Sequence, residues 1–128
     1  MIEILDHLKS IGLPLGVFTG KGRRAALITL QKIDAEKYFN LIVTGDDVTN
    51  HKPHAEGILK FVNQFGLNKE NVLMIGDSVG DVKSSKEAGV KIASVLWDSH
   101  REEIVRTMSS DFYFNEVREL SEFLIKNS

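Results

Sequence analysis

Apolar residues follow two alternating patterns along the chain: short continuous runs and stripes with helical spacing. Short apolar runs bounded by glycine or polar residues are typical of buried strands. They predict strands at residues 13–18, 41–45, 72–75, 92–96 and 112–114. Apolar residues three and four positions apart predict helices at residues 4–11, 21–33, 54–65, 82–88, 101–108 and 116–126.

The second predicted helix has an apolar stripe that should face the core. The stripe consists of Ala25, Ala26, Leu27, Leu30 and Ile33. Glycine stands directly after two of the predicted helices, at Gly12 and Gly89, where it ends a helix most easily.

Strands that alternate with helices in this way predict an α/β fold, in which right-handed crossovers build a doubly wound, Rossmann-like parallel sheet. Ligands of such sheets bind beyond the carboxyl ends of the strands. The segments expected to carry chemistry are therefore residues 19–21, 45–47, 76–81 and 97–98.

Length and composition narrow the functional classes. The 128 residues suit one domain, and 16 basic against 18 acidic residues give no basic field for nucleic acid. The chain has no cysteine, so disulfides and thiolate zinc sites are excluded. The amphipathic start MIEILDHLKS predicts a helix rather than a signal peptide. We expect a cytoplasmic protein without nucleic-acid or membrane partners.

The run VLMIGDSVGD at residues 72–81 places two carboxylates, Asp77 and Asp81, directly after a predicted strand. Mg²⁺ binds to one or two carboxylates together with substrate phosphate and water. The run therefore indicates a magnesium site, although an aspartate-rich turn that caps the following helix would also explain it.

Two other segments suit a phosphate group. Thr19 and Gly20 follow the first strand and precede a helix, so they offer a hydroxyl and backbone N–H groups. Lys52 stands in a loop before a helix and could neutralise a phosphoryl group. Taken singly, the threonine could be a helix cap and the lysine an ordinary surface residue.

Together these segments resemble motifs two, three and four of the haloacid dehalogenase superfamily: a strand with Thr-Gly, a later Lys-Pro, and a strand with GDxxxD. Residues 38–48, 52–58 and 76–89 are similar to its phosphoglycolate phosphatase-like branch. The resemblance extends over about residues 1–125.

The resemblance implies a Mg²⁺-dependent phosphatase of small phosphate monoesters. Thr19 and Gly20 would bind the phosphoryl oxygens, and Lys52 would neutralise charge. Asp77 would ligate magnesium, and Asp81 would support the metal through water or orient Lys52.

One motif of the family has no match. The nucleophile motif DxDxT/S is absent from the chain, the only aspartate before Thr19 is Asp6 in a predicted helix, and Asp46 and Asp47 do not fit the motif. We therefore expect a single core domain over residues 1–128 that begins after the nucleophile strand and the cap domain. Such a chain would be inactive unless another chain completes it. The alternative is a non-catalytic module that binds phosphate or magnesium, or an interaction module.

The family's sheet order, 3-2-1-4-5, makes the unmatched strand the central one, between residues 15–18 and 72–75. With strands ~4.8 Å apart, its absence would leave a gap of ~10 Å lined by unpaired backbone groups. We expect either that the two flanking strands pair directly, or that a strand from a second copy or a separate protein fills the gap.

Other interpretations explain less of the sequence. GKGRRA at residues 20–25 matches a dinucleotide-binding GxGxxA, but its acidic partner Asp46 is 26 residues on rather than about 20. A phosphate-binding loop and a receiver domain would need other spacings or another motif order. We interpret His51, His54 and His100 as solvated, and Trp97 as packed at a strand end.

Overall fold

The computed structural model of the protein describes residues 2–96, 106 and 109–127. The predicted helix at 101–108 lies outside the described residues, except for Arg106. Trp97, Asp98 and His100 also lie outside them.

Strands and helices alternate in the predicted order. The elements are α1 Ile2–Ser10, β1 Gly16–Phe18, α2 Arg23–Lys32, β2 Leu41–Val43, α3 Glu56–Gln64, β3 Leu73–Gly76, α4 Val79–Ala88, β4 Lys91–Val95, β5 Phe112–Phe114 and α5 Val117–Lys126. Their types agree with the sequence patterns, and the predicted α/β fold is confirmed. Most boundaries shift by one to three residues, as is usual for helix and strand ends.

The strands form two separate parallel groups. In the first, β1 pairs with β2, with Gly16 opposite Leu41. In the second, β4 lies between β3 and β5, with Leu73 opposite Lys91. Within residues 2–96, 106 and 109–127, β1 and β3 do not pair with each other. Of the two alternatives expected for this gap, direct pairing of β1 and β3 is therefore not observed, and filling by another strand stays a prediction.

Two helices that pack against each other, α3 and α4, hold the two strand groups in position. The helix α3 packs against β1, β2 and α4, and α4 packs against β3 and β4. Their shared core contains Ile58, Val62 and Ala88, and both Phe18 of β1 and Met74 of β3 contact it. Burial of these side chains stabilises the relative position of the strand groups, at roughly 25 cal/mol per Å² of apolar surface.

The predicted apolar stripe of α2 is confirmed only in part, with Leu27 and Leu30 half-buried. Ala26 is buried, whereas Ala25 is exposed and Ile33 is 59% exposed. The main packing contact of α2 is with the short 3₁₀ turn Glu36–Tyr38 rather than with a strand face. A short turn covers only part of the stripe, so its remaining residues face solvent.

The first strand is shorter than predicted because its partner β2 has only three residues. Leu13 is 43% exposed, and the backbone of Leu15 is held by Asn40 instead of by a strand. Among the described residues, no helix has the length and apolar character needed to cross a membrane.

Candidate functional site

The loop between β3 and α4 is organised around the carboxylate of Asp81. Asp81 Oδ2 accepts hydrogen bonds from the backbone N–H groups of Asp77 (3.1 Å) and Ser78 (3.2 Å). Ser78 Oγ in turn accepts from the backbone N–H of Asp81 at 3.1 Å, which completes a capping box. The helix-capping interpretation of GDSVGD is thus confirmed for Asp81.

Gly76 lets this carboxylate lie against the end of β3. A Cβ atom at residue 76 would overlap the side chain of Asp81. Asp81 is consequently only 5% exposed, although it is charged. A buried carboxylate needs a partner of opposite charge, and the loop before α3 provides it.

Lys52 is that partner. Its Nζ atom donates to Asp81 Oδ1 at 2.7 Å and to the carbonyl oxygen of Phe18 at 3.4 Å, and it lies 4.6 Å from the centre of the Phe18 ring. The lysine therefore extends from the carboxyl end of β1 to the loop after β3. Two motifs that are 29 positions apart in sequence meet in this ion pair.

A cleft of about 350 Å³ opens beside the ion pair, between the two strand groups. Thr19, Lys52, Asp77 and Asp81 line it together with residues of β1, β3 and β4. Ile75 also lines the cleft and is 40% exposed, although β3 is paired with β4 on its other side. Four of the five candidate residues therefore share one cavity, and Gly20 directly follows Thr19.

The helix α2 begins two residues later than the sequence predicts, at Arg23. Because α2 begins only at Arg23, the backbone N–H of Arg23 is three residues beyond Gly20, and it donates to Asp46 Oδ2 at 2.8 Å. Thr19 Oγ1 accepts from the backbone N–H of Lys21 at 3.2 Å. A carboxylate thus already occupies the first turn of α2.

Sequence reasoning missed the structural role of Asp46 and Asp47. Asp47 Oδ2 accepts from Arg23 Nη2 at 2.6 Å and from both the backbone N–H and the hydroxyl of Thr44. Burial acts to raise the pKa of Asp47, but the hydrogen bonds from Thr44 and Arg23 outweigh burial and hold this pKa below its ordinary value. Two adjacent acids after β2 and two arginines at the start of the preceding helix α2 were visible in the sequence, but their pairing was not.

We expect the lowered pKa of Asp47 to make folding sensitive to acid. A carboxyl whose pKa is lower in the folded chain stabilises the fold above its unfolded pKa, and this contribution is lost as the pH falls through the folded pKa. Asp47→Asn should therefore be less stable than the wild type at neutral pH and should lose less stability between roughly pH 5 and pH 3. Urea unfolding of both proteins at about pH 5 and at about pH 3 measures how much stability each loses on acidification.

The control for this prediction is Glu122→Gln, because the Glu122 side chain is 73% exposed and forms a surface ion pair with Arg118 at 3.8 Å. It should follow the wild type at both pH values. Equal acid-induced losses in wild type and Asp47→Asn would contradict the prediction.

The residues present fit a magnesium ion in part. Asp77 and Asp81 are oxygen donors at the mouth of the cleft, which suits a hard cation. Within residues 2–96, 106 and 109–127 there is no group of three or more metal-ligating side chains. Both oxygens of Asp81 already accept hydrogen bonds, from Lys52 and from backbone N–H groups.

Three carboxylates near the strand ends, those of Asp46, Asp47 and Asp81, already accept hydrogen bonds within the chain. Asp46 and Asp47 hold the start of α2, and they do not line the cleft. Asp81 is committed to Lys52 and to two backbone N–H groups. His51 and His54 are exposed, as expected, and neither lines the cleft.

The chain is similar in sequence to known proteins. The sequence model of the haloacid dehalogenase-like hydrolase family matches residues 1–95. The chain is similar to pyrophosphatase PpaX of Bacillus pumilus, with 35% identity over 120 residues, which cover 94% of this chain and 56% of that protein. It is also similar to phosphoglycolate phosphatase of Escherichia coli K12, with 30% identity over 118 residues, which cover 92% of this chain and 47% of that protein.

Solved structures show the same fold. A crystal structure of a HAD-superfamily hydrolase of subfamily IA from Geobacter sulfurreducens matches with a TM-score of 0.78 and 30% identity. The match covers 96% of this chain and 53% of that one. The chain thus spans about half the length of the curated relatives and of this structure.

Proposed function

The chain belongs to the haloacid dehalogenase-like hydrolase family, and from this we propose that it provides the phosphate-binding and magnesium-binding part of a phosphatase site. The proposed substrates are small phosphate monoesters. The observation that carries the proposal is the Lys52–Asp81 ion pair, which lies between the ends of β1 and β3 in the same cleft as Thr19.

Thr19 and Gly20 would bind the oxygens of the phosphoryl group. The Thr19 hydroxyl accepts from the Lys21 backbone and still has a proton to donate. Space beside Gly20 is open, since a Cβ atom there would meet nothing within 4 Å. A phosphate oxygen can therefore approach the backbone of this loop closely.

Lys52 would neutralise the negative charge of the phosphoryl group. An ammonium that already donates to Asp81 and Phe18 needs no reorganisation when the substrate binds. Asp81 is then a positioning residue, because its contact is with Lys52. Its two bonds to backbone N–H groups keep its own carboxylate fixed.

Asp77 would hold Mg²⁺, with Asp81 contributing through water. The ion, when bound, would polarise the phosphoryl oxygens and neutralise part of their charge. Asp77 is exposed at the cleft, and its backbone N–H is fixed by Asp81. The position of this ligand is consequently linked to that of Lys52.

A phosphatase of this kind also needs a group that attacks phosphorus. The 128 residues contain no DxDxT/S motif, and the described carboxylates of the cleft are Asp77 and Asp81. We propose that the attacking carboxylate arrives on a strand that lies between β1 and β3. Three observations support this position: among the described residues neither strand has a partner on the side of the cleft, Ile75 is exposed there, and Lys52 stands at the carboxyl end of the proposed strand.

The added strand would run parallel to β1 and β3, since only then does its carboxyl end reach Lys52. It would come from outside the 128 residues, because none of the described strands ends in the motif. A second copy of the chain that fills the cleft without a carboxylate would instead give a homo-oligomer. That outcome would favour the second candidate function, a non-catalytic module that binds phosphate, which the missing attacking group also supports.

Binding of inorganic phosphate tests the proposal. In the presence of Mg²⁺, we expect the wild-type chain to bind phosphate and Lys52→Met to bind it about tenfold or more weakly, because a charged hydrogen bond contributes ~1.5–3 kcal/mol. Thr19→Val should weaken binding several-fold while preserving side-chain shape. Isothermal titration calorimetry gives the affinities, and circular dichroism checks that each variant is folded.

Lys37→Met is the matched control for this experiment. Lys37 is 62% exposed on its side chain and pairs with Asp34 at 3.3 Å, away from the cleft. It should bind phosphate like the wild type. The proposal fails if the wild type does not bind phosphate, or if Lys37→Met and Lys52→Met weaken binding equally.

A further inference from the structure

Gly45, after β2, contacts both loops that carry the proposed phosphate-binding residues. Its backbone N–H donates to the carbonyl oxygen of Lys21 at 2.7 Å, in the loop of Thr19 and Gly20. Its own carbonyl oxygen is 2.8 Å from Nε2 of His51, the residue before Lys52. One peptide segment thus joins two loops that the sequence separates by about 30 residues.

The approach of Gly45 to the first loop is close enough to require glycine. A Cβ atom at residue 45 would lie 2.6 Å from the carbonyl oxygen of Gly20 and 3.3 Å from that of Lys21. Both neighbours are backbone atoms, which cannot rotate away as a side chain can. The position of Gly45 therefore fixes the backbone beside Gly20.

His51 connects Gly45 to the second loop. Since a carbonyl oxygen only accepts hydrogen bonds, Nε2 of His51 carries the proton in this contact. The carbonyl oxygen of His51 accepts from the backbone N–H of His54 at 2.9 Å. The histidine is thus held at its ring by Gly45 and at its backbone by the turn before α3.

The remainder of the second loop is anchored separately. The backbone N–H groups of Asn50 and Thr49 donate to the Glu56 carboxylate, each at 2.9 Å, and these bonds hold the pKa of Glu56 below its ordinary value. Glu56 lies in the first turn of α3. The loop before Lys52 is therefore bound to α3 through Glu56 and to Gly45 through the ring of His51.

We propose that His51 is a positioning residue that, through Gly45, fixes the distance between the Thr19–Gly20 loop and Lys52. The proposal rests on the proposed function in so far as both loops bind one phosphate group. A phosphoryl group must meet Lys52 and Thr19 at the same time, so a loosened connection between the loops weakens binding even though no phosphate contact is removed.

The test compares His51→Ala with His51→Gln. The amide nitrogen of glutamine can replace the Nε2–H donor, whereas alanine cannot. We expect His51→Ala to bind inorganic phosphate about fivefold to tenfold more weakly than the wild type, which is the range of one neutral hydrogen bond. His51→Gln should stay within about threefold of the wild type on the same scale. His54→Ala is the control at a neighbouring exposed histidine, and it should bind like the wild type.

A second measurement does not depend on phosphate. Amide hydrogen exchange, followed by NMR without ligand, reports the bond from Gly45 N–H to Lys21. Its exchange should become several-fold faster in His51→Ala and should return toward the wild-type rate in His51→Gln. A merely structural role of His51 would change the melting temperature but would not be rescued by glutamine.

The two measurements separate the possible failures. If the wild type binds no phosphate but Gly45 exchange responds to His51 as expected, the proposed function fails and the connection between the loops stands. If exchange and phosphate affinity are the same in wild type and His51→Ala, the positioning role is refuted. Equal losses in His51→Ala and His51→Gln would refute it as well.

Discussion

Incubated with Mg²⁺ and a nitrophenyl phosphate, the purified 128-residue chain is expected to release nitrophenol no faster than its Asp77→Asn variant. The reason is the missing attacking group. In the described part of the chain, the carboxylates of the cleft are Asp77, proposed for the metal, and Asp81, which is bound to Lys52. Without a nucleophile, the chain could bind the phosphoryl group and neutralise its charge but could not form a covalent intermediate with it. Absorbance of the released nitrophenolate measures the rate.

The effect of supplying the nucleophile should be large. Enzymes accelerate reactions by at least roughly 10⁶-fold, so completion of the site would raise the rate far above the background of the assay. Mixing the chain with a separately expressed segment that carries DxDxT/S should restore Mg²⁺-dependent turnover, and the same segment with its first aspartate changed to asparagine should not. Clear metal-dependent turnover by the chain alone would refute the prediction.

Sequence patterns predicted those parts of the fold that depend on neighbouring residues. The run before GDSVGD becomes the strand β3, and Gly89 ends α4 with a left-handed φ of 81°. Local patterning suffices in such places because the strand is bounded by glycine and the helix end needs a residue that tolerates positive φ. The residues proposed to bind phosphate were identifiable because each follows a strand or precedes a helix.

Contacts between distant segments could not be predicted in the same way. The exposure of Ile33 depends on which element covers α2, and that element is a short turn rather than a strand. Asp46 and Asp47 are typical of a loop by sequence, yet they bind the start of α2, 23 and 24 positions away from Arg23. Nothing local in either segment specifies the pairing.

The same limit applies to the gap between the strand groups. The order of motifs indicated that one strand position would be vacant between β1 and β3, and the two groups are indeed unpaired there in the described part of the chain. The resemblance implied that Asp81 could orient Lys52, and the structure has an ion pair between them, whereas the contact of Lys52 with Phe18 was not predicted. Filling of the gap by another strand stays a prediction.

Asp81→Asn is expected to destabilise the fold by about 2 kcal/mol, a large share of the ~5–15 kcal/mol typical of a domain. The Asp81 carboxylate has two acceptor oxygens. Oδ1 accepts from Lys52, and Oδ2 accepts from the backbone N–H groups of Asp77 and Ser78. Asparagine has a single acceptor, so it leaves one set of donors unsatisfied. Because the Lys52 side chain is 23% exposed, the loss is smaller than for a fully buried pair. Urea unfolding measures it.

A double-mutant cycle separates the ion pair from the helix cap. Lys52→Met combined with Asp81→Asn should be less destabilising than the sum of the single changes, by about 1 kcal/mol or more, since the second change then breaks no pair. The same cycle on Lys37 and Asp34, whose side chains are 62% and 85% exposed, should give a coupling below about 0.5 kcal/mol. Additive losses at Lys52 and Asp81 would mean that Asp81 only caps α4, and Asp81 could then not be the residue that positions Lys52 for phosphate.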